Sequence, residues 1–110
     1  MELNEYQDKT AETAAYPHIG NQPFVYPAMG LAGETGEILN KIKKIYRDQG
    51  GFLSDEVREK LGDEIGDVLW YVAQLATSLE LELNEIALDN LAKLKSRKER
   101  GVLGGSGYKR

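Results

Sequence analysis

The sequence predicts an all-α domain, a four-helix bundle-like arrangement completed by oligomerisation. Three observations carry that expectation. Apolar residues recur at helical spacing through several segments. Pro, Gly and Asn punctuate the chain between those segments. Two acidic stretches, Glu34-Thr35-Gly36-Glu37 and Glu64-Ile65-Gly66-Asp67, each carry two carboxylates at i and i+3, a spacing that shares one helix face. The 110 residues suffice for one domain, taken as 1–110 with a Gly-rich tail over 101–110. A domain of this size buries a modest core, so self-association would help it.

The first helix is expected from about Leu3 to Ala15, on a weak stripe of Leu3, Tyr6, Thr10, Thr13 and Ala14, with Pro17 ending it. From Tyr16 to Tyr26 the breakers Pro17, Gly20, Asn21 and Pro23 predict a loop. That loop is rich in rings: Tyr16, His18, Phe24 and Tyr26. They either pack over the bundle or stack on a ligand's base.

Pro27 suits a helix's first turn, where its missing N–H costs nothing. The second helix then runs to Arg47 or Asp48, with Leu31, Ile38, Ile42 and Ile45 as its apolar stripe. At about 100° per residue, Glu34 falls beside Ile38 and Ile45, and Glu37 and Lys41 flank the same edge. Gly50-Gly51 breaks the chain. Ser54 is the expected N-cap of the third helix, Asp55 to Leu79, and Asp55 and Glu56 favour its dipole. Leu61, Ile65, Val68, Leu69, Val72, Leu75, Ala76 and Leu79 form a wide apolar arc.

Glu64 falls inside that arc and Asp67 at its edge. A carboxylate on an apolar face is costly unless it is paired or holds a metal. Both readings stand: a Glu paired with Lys or Arg across the helix interface, or one of four acids around a cation. Gly36 and Gly66, mid-helix, either let a helix or ligand approach closely or are simply tolerated, at roughly 1 kcal/mol each against Ala. Trp70 lies opposite the main arc and is expected in a subunit interface or under the N-terminal loop. Asn84 is the expected N-cap of a fourth helix, Glu85 to Glu99, with Ile86, Leu88, Leu91 and Leu94 apolar and a basic end. Gly101 fits the C′ position.

Composition excludes several classes. Net charge is −4 and the pI about 5.0, which argues against broad nucleic-acid backbone binding. The cationic stretch from Lys93 to Arg110 keeps a nucleic-acid reading alive only as a minor alternative. There is no cysteine, hence no disulfide framework or thiol chemistry. No signal peptide or spanning segment is evident, so the cytoplasm is the default address. The only histidine, His18, sits in a loop, so Glu-x-x-His di-iron chemistry and a Ser-His triad both lack parts. Glu34, Glu37, Glu64 and Asp67 together offer an oxygen-only site, suited to a hard cation such as Mg²⁺ with phosphate ligands.

The ordered motifs resemble a known family. Gly30-Leu31-Ala32-Gly33-Glu34-Thr35-Gly36-Glu37, Glu64-Ile65-Gly66-Asp67-Val68-Leu69-Trp70-Tyr71 and Asn90-Leu91-Ala92-Lys93-Leu94-Lys95-Ser96-Arg97 are similar to the motifs of the MazG-like all-α nucleoside triphosphate pyrophosphohydrolases. Tyr6-Gln7 and Thr13-Ala14 add to the likeness.

The resemblance implies Mg²⁺, with Mn²⁺ as a substitute, held by Glu34, Glu37, Glu64 and Asp67, which are also the candidate catalytic residues. It implies cleavage of a nucleoside triphosphate into monophosphate and pyrophosphate, with Asn90, Lys93 and Arg97 as candidate substrate-binding residues; Lys41, flanking the acid edge of the second helix, is a fourth candidate. It further implies a homodimer or homotetramer and a role in clearing unwanted nucleotides, with no nucleic-acid or membrane partner. The alternatives are phosphoribosyl-ATP pyrophosphohydrolase and a non-catalytic helical module using the acids for metal binding or oligomerisation. Two positions depart from the pattern: Gly33, where many relatives carry a further acid, and Tyr108, where a Gly-Asp-x-Arg tail would place Asp.

Overall fold

A computed structural model describes residues 1–101. It contains four α-helices, α1 (Leu3–Thr10), α2 (Val25–Gln49), α3 (Asp55–Ser78) and α4 (Leu83–Glu99), with 3-10 turns at Ala11–Thr13 and Ile19–Asn21. Among the described residues there is no strand, so the expected all-α class holds. No helix there is long and apolar enough to cross a membrane. Tyr108 and the rest of the tail beyond Gly101 lie outside the described residues.

The scaffold is the antiparallel hairpin of α2 and α3, the most extensive helix contact in the chain. Its turn follows from local chemistry. Gly50 caps α2 in the left-handed region (φ 59°) and Gly51 continues it (φ 83°), conformations that cost glycine little. Ser54 then opens α3, its hydroxyl accepting from the Val57 N–H at 3.2 Å, as the sequence predicts. Pro27 is fully buried in the first turn of α2, two residues after the helix begins.

Two boundaries need correcting. The first helix stops at Thr10, not Ala15. There the Thr10 hydroxyl donates to the Gln7 carbonyl (2.6 Å) and Thr13 to the Thr10 carbonyl (3.2 Å), and the backbone tightens into a 3-10 turn before extending at Ala14. The fourth helix begins at Leu83, with Glu82 rather than Asn84 at the N-cap position. Its first amides are capped from α1 instead. Leu83 N–H donates to Gln7 Oε1 (2.8 Å) and Asn84 N–H to Asn4 Oδ1 (2.9 Å). Gly101 closes α4 at φ 74°, as expected of C′.

The buried apolar core is small. Ala73, Ala76 and Leu83 form it, with Tyr6 and Val72 packed against them. Around it runs a buried polar seam. Gln7 Nε2 donates to Thr77 Oγ1 (3.0 Å) and to the Leu81 carbonyl (2.8 Å). Gln74 Nε2 donates to Thr10 Oγ1 (2.8 Å), and Tyr16 OH donates to Gln74 Oε1 (2.8 Å). Each buried amide thus finds the partners that make its burial tolerable. The seam pins α1 and the aromatic loop onto the C-terminal half of α3. The expected stripe of α4 instead faces outward at Leu88 and Leu91, 66% and 65% exposed.

Candidate metal centre and flanking clefts

Midway along the hairpin, Glu34 of α2 meets Glu64 and Asp67 of α3. One carboxylate oxygen from each lies within 4.8 Å of the others. Glu34 and Glu64 are half-buried and Asp67 is exposed. Glu37, the other predicted acid, stands outside this trio on the exposed side of α2, though its charge still acts on Glu34.

The electrostatics are uneven. Burial first, then the hydrogen bond with Glu64 and the charges of Asp67, Glu64 and Glu37, raise the Glu34 pKa above the ordinary 4.5. Glu64 is held below that value, chiefly by Lys41. Lys41 Nζ lies 3.0 Å from Glu64 Oε1 across the hairpin. The two readings of Glu64 therefore coincide: it is paired with a lysine and it belongs to an acidic cluster. The donor set is all carboxylate oxygen, which fits a hard divalent ion and no soft one.

A cleft opens on each side of the cluster. One, about 310 Å³, is lined by Thr13, Glu34, Asp67, Trp70 and Tyr71. The other, about 570 Å³, lies toward the hairpin turn and includes Lys41, Lys44, Lys60, Asp63 and Glu64 in its lining. Aromatic packing builds the smaller cleft. Tyr16 and Tyr26 stack at 5.1 Å with planes 2° apart. Trp70 sits edge-on to Tyr16 (6.2 Å) and Tyr71 (5.1 Å), and its indole N–H donates to Thr13 Oγ1 (2.8 Å). Trp70 thus packs under the N-terminal loop, one of the two places expected for it. Burial raises the Tyr71 pKa, with Tyr26 and the nearby acids adding to it.

Gly30, rather than Gly36 or Gly66, is where helices come close. A Cβ on Gly30 would overlap the Tyr71 ring, whereas Gly36 and Gly66 face open space. Among the described residues, nothing lies within 4 Å of a Cβ built on either of those two.

Of the predicted substrate-binding residues, only Lys41 adjoins the cluster. Asn90 and Lys93 are exposed on α4, and Arg97 is buried there. None of the three lines either cleft. Lys44 and Lys60 were not singled out by sequence. The signal lay in their spacing: Lys44 is one turn on from Lys41, and Lys60 one turn before Glu64.

An all-α hairpin with carboxylates converging across its seam defines a protein with a candidate hard-cation centre. Its family is more specific. Residues 27–102 match the MazG nucleotide pyrophosphohydrolase domain, and the chain belongs to that family. It is also similar to a protein described as "Gene 37 protein" from Mycobacterium phage L5, 48% identical over 114 aligned positions that span 100% of both chains. No solved structure matches.

Proposed function

We propose that this chain hydrolyses nucleoside triphosphates to a nucleoside monophosphate and pyrophosphate, with Mg²⁺ as the working ion and Mn²⁺ as a substitute. The observation that carries the reading is the convergence of Glu34, Glu64 and Asp67 within 4.8 Å, in a member of a nucleotide pyrophosphohydrolase family. The role that fits is clearance of unwanted nucleotides in the cytoplasm.

A divalent ion there would neutralise phosphate oxygens and make the attacking water more acidic. The protein's own groups supply the rest. Glu34 is the candidate base, because burial and neighbouring acids raise its affinity for a proton. Glu64 and Asp67 would hold the cation from α3, and Glu37 adds negative charge from one turn along α2. Water adds to the α-phosphorus, the bond to the bridging oxygen breaks, and its electron pair leaves with pyrophosphate. Lys41 is placed to exchange Glu64 for a phosphate oxygen. Asn90 and Lys93, exposed on α4, are assigned to phosphate or sugar, reached when a second copy brings α4 to the site in a homodimer or homotetramer; Arg97 is buried within its own chain and is left out of that contact.

The test is pyrophosphate release from a panel of canonical and modified NTPs and dNTPs, with Mg²⁺ and with EDTA. Mg²⁺-dependent release with a monophosphate product is expected, and Glu64→Gln should abolish it while the helical spectrum persists. Mg²⁺ raising the melting temperature with no turnover across the panel would overturn the reading in favour of a non-catalytic helical module.

A further inference from the structure

The acidic cluster is the shared wall of two chemically different clefts. Glu34 and Asp67 face the smaller one, whose other lining is Thr13, Trp70 and Tyr71. Glu64 faces the larger one, which has no aromatic side chain in its lining and three lysines: Lys41, Lys44 and Lys60. A nucleoside triphosphate has the same asymmetry, with a flat ring system at one end and concentrated negative charge at the other.

We propose that the lysine-lined cleft is the pyrophosphate subsite, with Lys44 and Lys60 binding the β- and γ-phosphates and the nucleoside lying toward Trp70 and Tyr71. This rests on the hydrolase reading and fixes the direction in which the substrate lies along the hairpin.

The charges in the larger cleft favour an anion there. Asp48 is already occupied: Arg47 holds both its oxygens at 2.7 Å, and that pair keeps its carboxyl below the usual carboxylate range. Glu64 is occupied by Lys41 at 3.0 Å and would be taken up by a metal. Among the described residues, the ion pair of Lys60 is an exposed i,i+4 contact with Glu56 (3.2 Å), a type that is weak and readily exchanged. Lys44 also acts on Asp48, whose charge Arg47 already balances, so the one acid of the lining left to offset Lys44 and Lys60 is Asp63. Ammonium groups on flexible stems suit a polyphosphate, whose oxygens need charge rather than fixed bidentate geometry. Lys41 and Lys44 on α2 stand three residues apart, about 4.5 Å along the helix axis, and Lys60 answers from α3. In the reaction, the electron pair of the broken phosphoanhydride stays on the leaving pyrophosphate, next to these three cations.

The test compares the full-length wild type with Lys44→Gln, Lys60→Gln and the double variant, and with Lys43→Gln, a charge control on α2 outside the cleft. Two quantities are read in Mg²⁺. One is direct calorimetric binding of inorganic pyrophosphate. The other is inhibition of turnover by pyrophosphate and by nucleoside monophosphate.

The double variant is expected to weaken pyrophosphate binding at least tenfold and raise KM for the triphosphate. Monophosphate inhibition should stay within twofold, and Lys43→Gln should resemble wild type. Turnover with unchanged pyrophosphate binding in the double variant overturns the subsite alone. So does an equal loss in Lys43→Gln, or a loss confined to monophosphate. Pyrophosphate binding that depends on the two lysines, without turnover of any nucleotide, overturns the hydrolase reading alone.

Discussion

Lys41 Nζ and Glu64 Oε1 lie 3.0 Å apart, joining α2 to α3 at the edge of the acidic cluster. The side chains are 28% and 17% exposed, so the pair is sheltered but wet. The lysine neutralises one of the three clustered carboxylates, a task that a cation bound at the cluster would share. Lys41→Met should therefore lower the metal-free melting temperature and enlarge the gain that Mg²⁺ brings. Differential scanning fluorimetry with and without Mg²⁺ reads both. An equal Mg²⁺ gain in variant and wild type would separate Lys41 from the cation site.

Glu34 gives the opposite sign. Its carboxyl is raised above 4.5, first by burial and then by its acidic neighbours. A raised acid costs the folded state once it ionises, so its stabilising contribution is present below 4.5 and is lost as pH climbs through the folded value. Glu34→Gln should then raise the metal-free melting temperature near neutral pH. The advantage should fade below 4.5, where wild-type Glu34 is itself protonated. Glu64, held low by Lys41, acts in reverse and is lost as pH falls. The same Glu34→Gln variant should lose most of its Mg²⁺-induced stabilisation. A variant less stable than wild type at neutral pH would refute the repulsion.

Two glycine substitutions should split in sign. Gly30→Ala adds helix propensity worth roughly 1 kcal/mol. It also drives a methyl into the Tyr71 ring, and overpacking of that kind costs about 1–3 kcal/mol. The net is a loss, and it should disappear when Gly30→Ala is made in a Tyr71→Ala background and compared with Tyr71→Ala alone. Gly62→Ala, mid-helix with nothing within 4 Å, should gain about 0.5–1 kcal/mol. Urea unfolding of the variants and the Gly30→Ala/Tyr71→Ala double mutant checks both.

What sequence could show divides along local and long-range lines. Ser54, Gly101 and the span of α3 were legible because their causes lie within a few residues. The cap of α4 was not, because it comes from Gln7 and Asn4, more than seventy residues upstream. The two acid pairs read alike by periodicity. Yet Glu64 and Asp67 both reach the cluster while Glu37 does not, because the rotation of α2 against α3 is a packing quantity that spacing cannot supply. Lys60 was hidden for the same reason: its relation to Lys41 and Lys44 exists only once the hairpin closes. Spacing and the resemblance both pointed to the carboxylates, and neither marked Lys44 or Lys60.

That long-range cap makes Gln7 a strong test of the fold. Its amide donates to Thr77 and Leu81 and accepts from Leu83, all at 3.0 Å or less. Gln7→Leu keeps the volume and strands two backbone groups, Leu83 N–H and Leu81 C=O. Each unsatisfied buried group costs about 1–3 kcal/mol. Hydrogen exchange at Leu83 should accelerate well before the α2–α3 hairpin does. Uniform acceleration everywhere would mean that α4 is not a separately docked unit.

The outward apolar side chains call for a partner, and the amount argues for a second copy. Leu39 (62% exposed) on α2, Ile65 (58%) on α3, and Leu88 and Leu91 on α4 leave unpaired apolar surface on three helices. Among the described residues the buried apolar set is small, and covering side chains this exposed would remove apolar area from water. Self-association would bury them without needing another gene product, and it would offer α4 a route to a neighbour's acidic cluster. Ile65→Asp and Leu88→Asp should shift the chain toward monomer in sedimentation equilibrium and lower the concentration-dependent melting temperature. Ile65 directly follows Glu64, so its variant should also weaken turnover. Leu88→Asp should cost turnover only in proportion to the oligomer lost, restored by raising protein concentration. A wild type that sediments as a monomer would remove the shared site, along with the assignment of Asn90 and Lys93 to a neighbour's substrate.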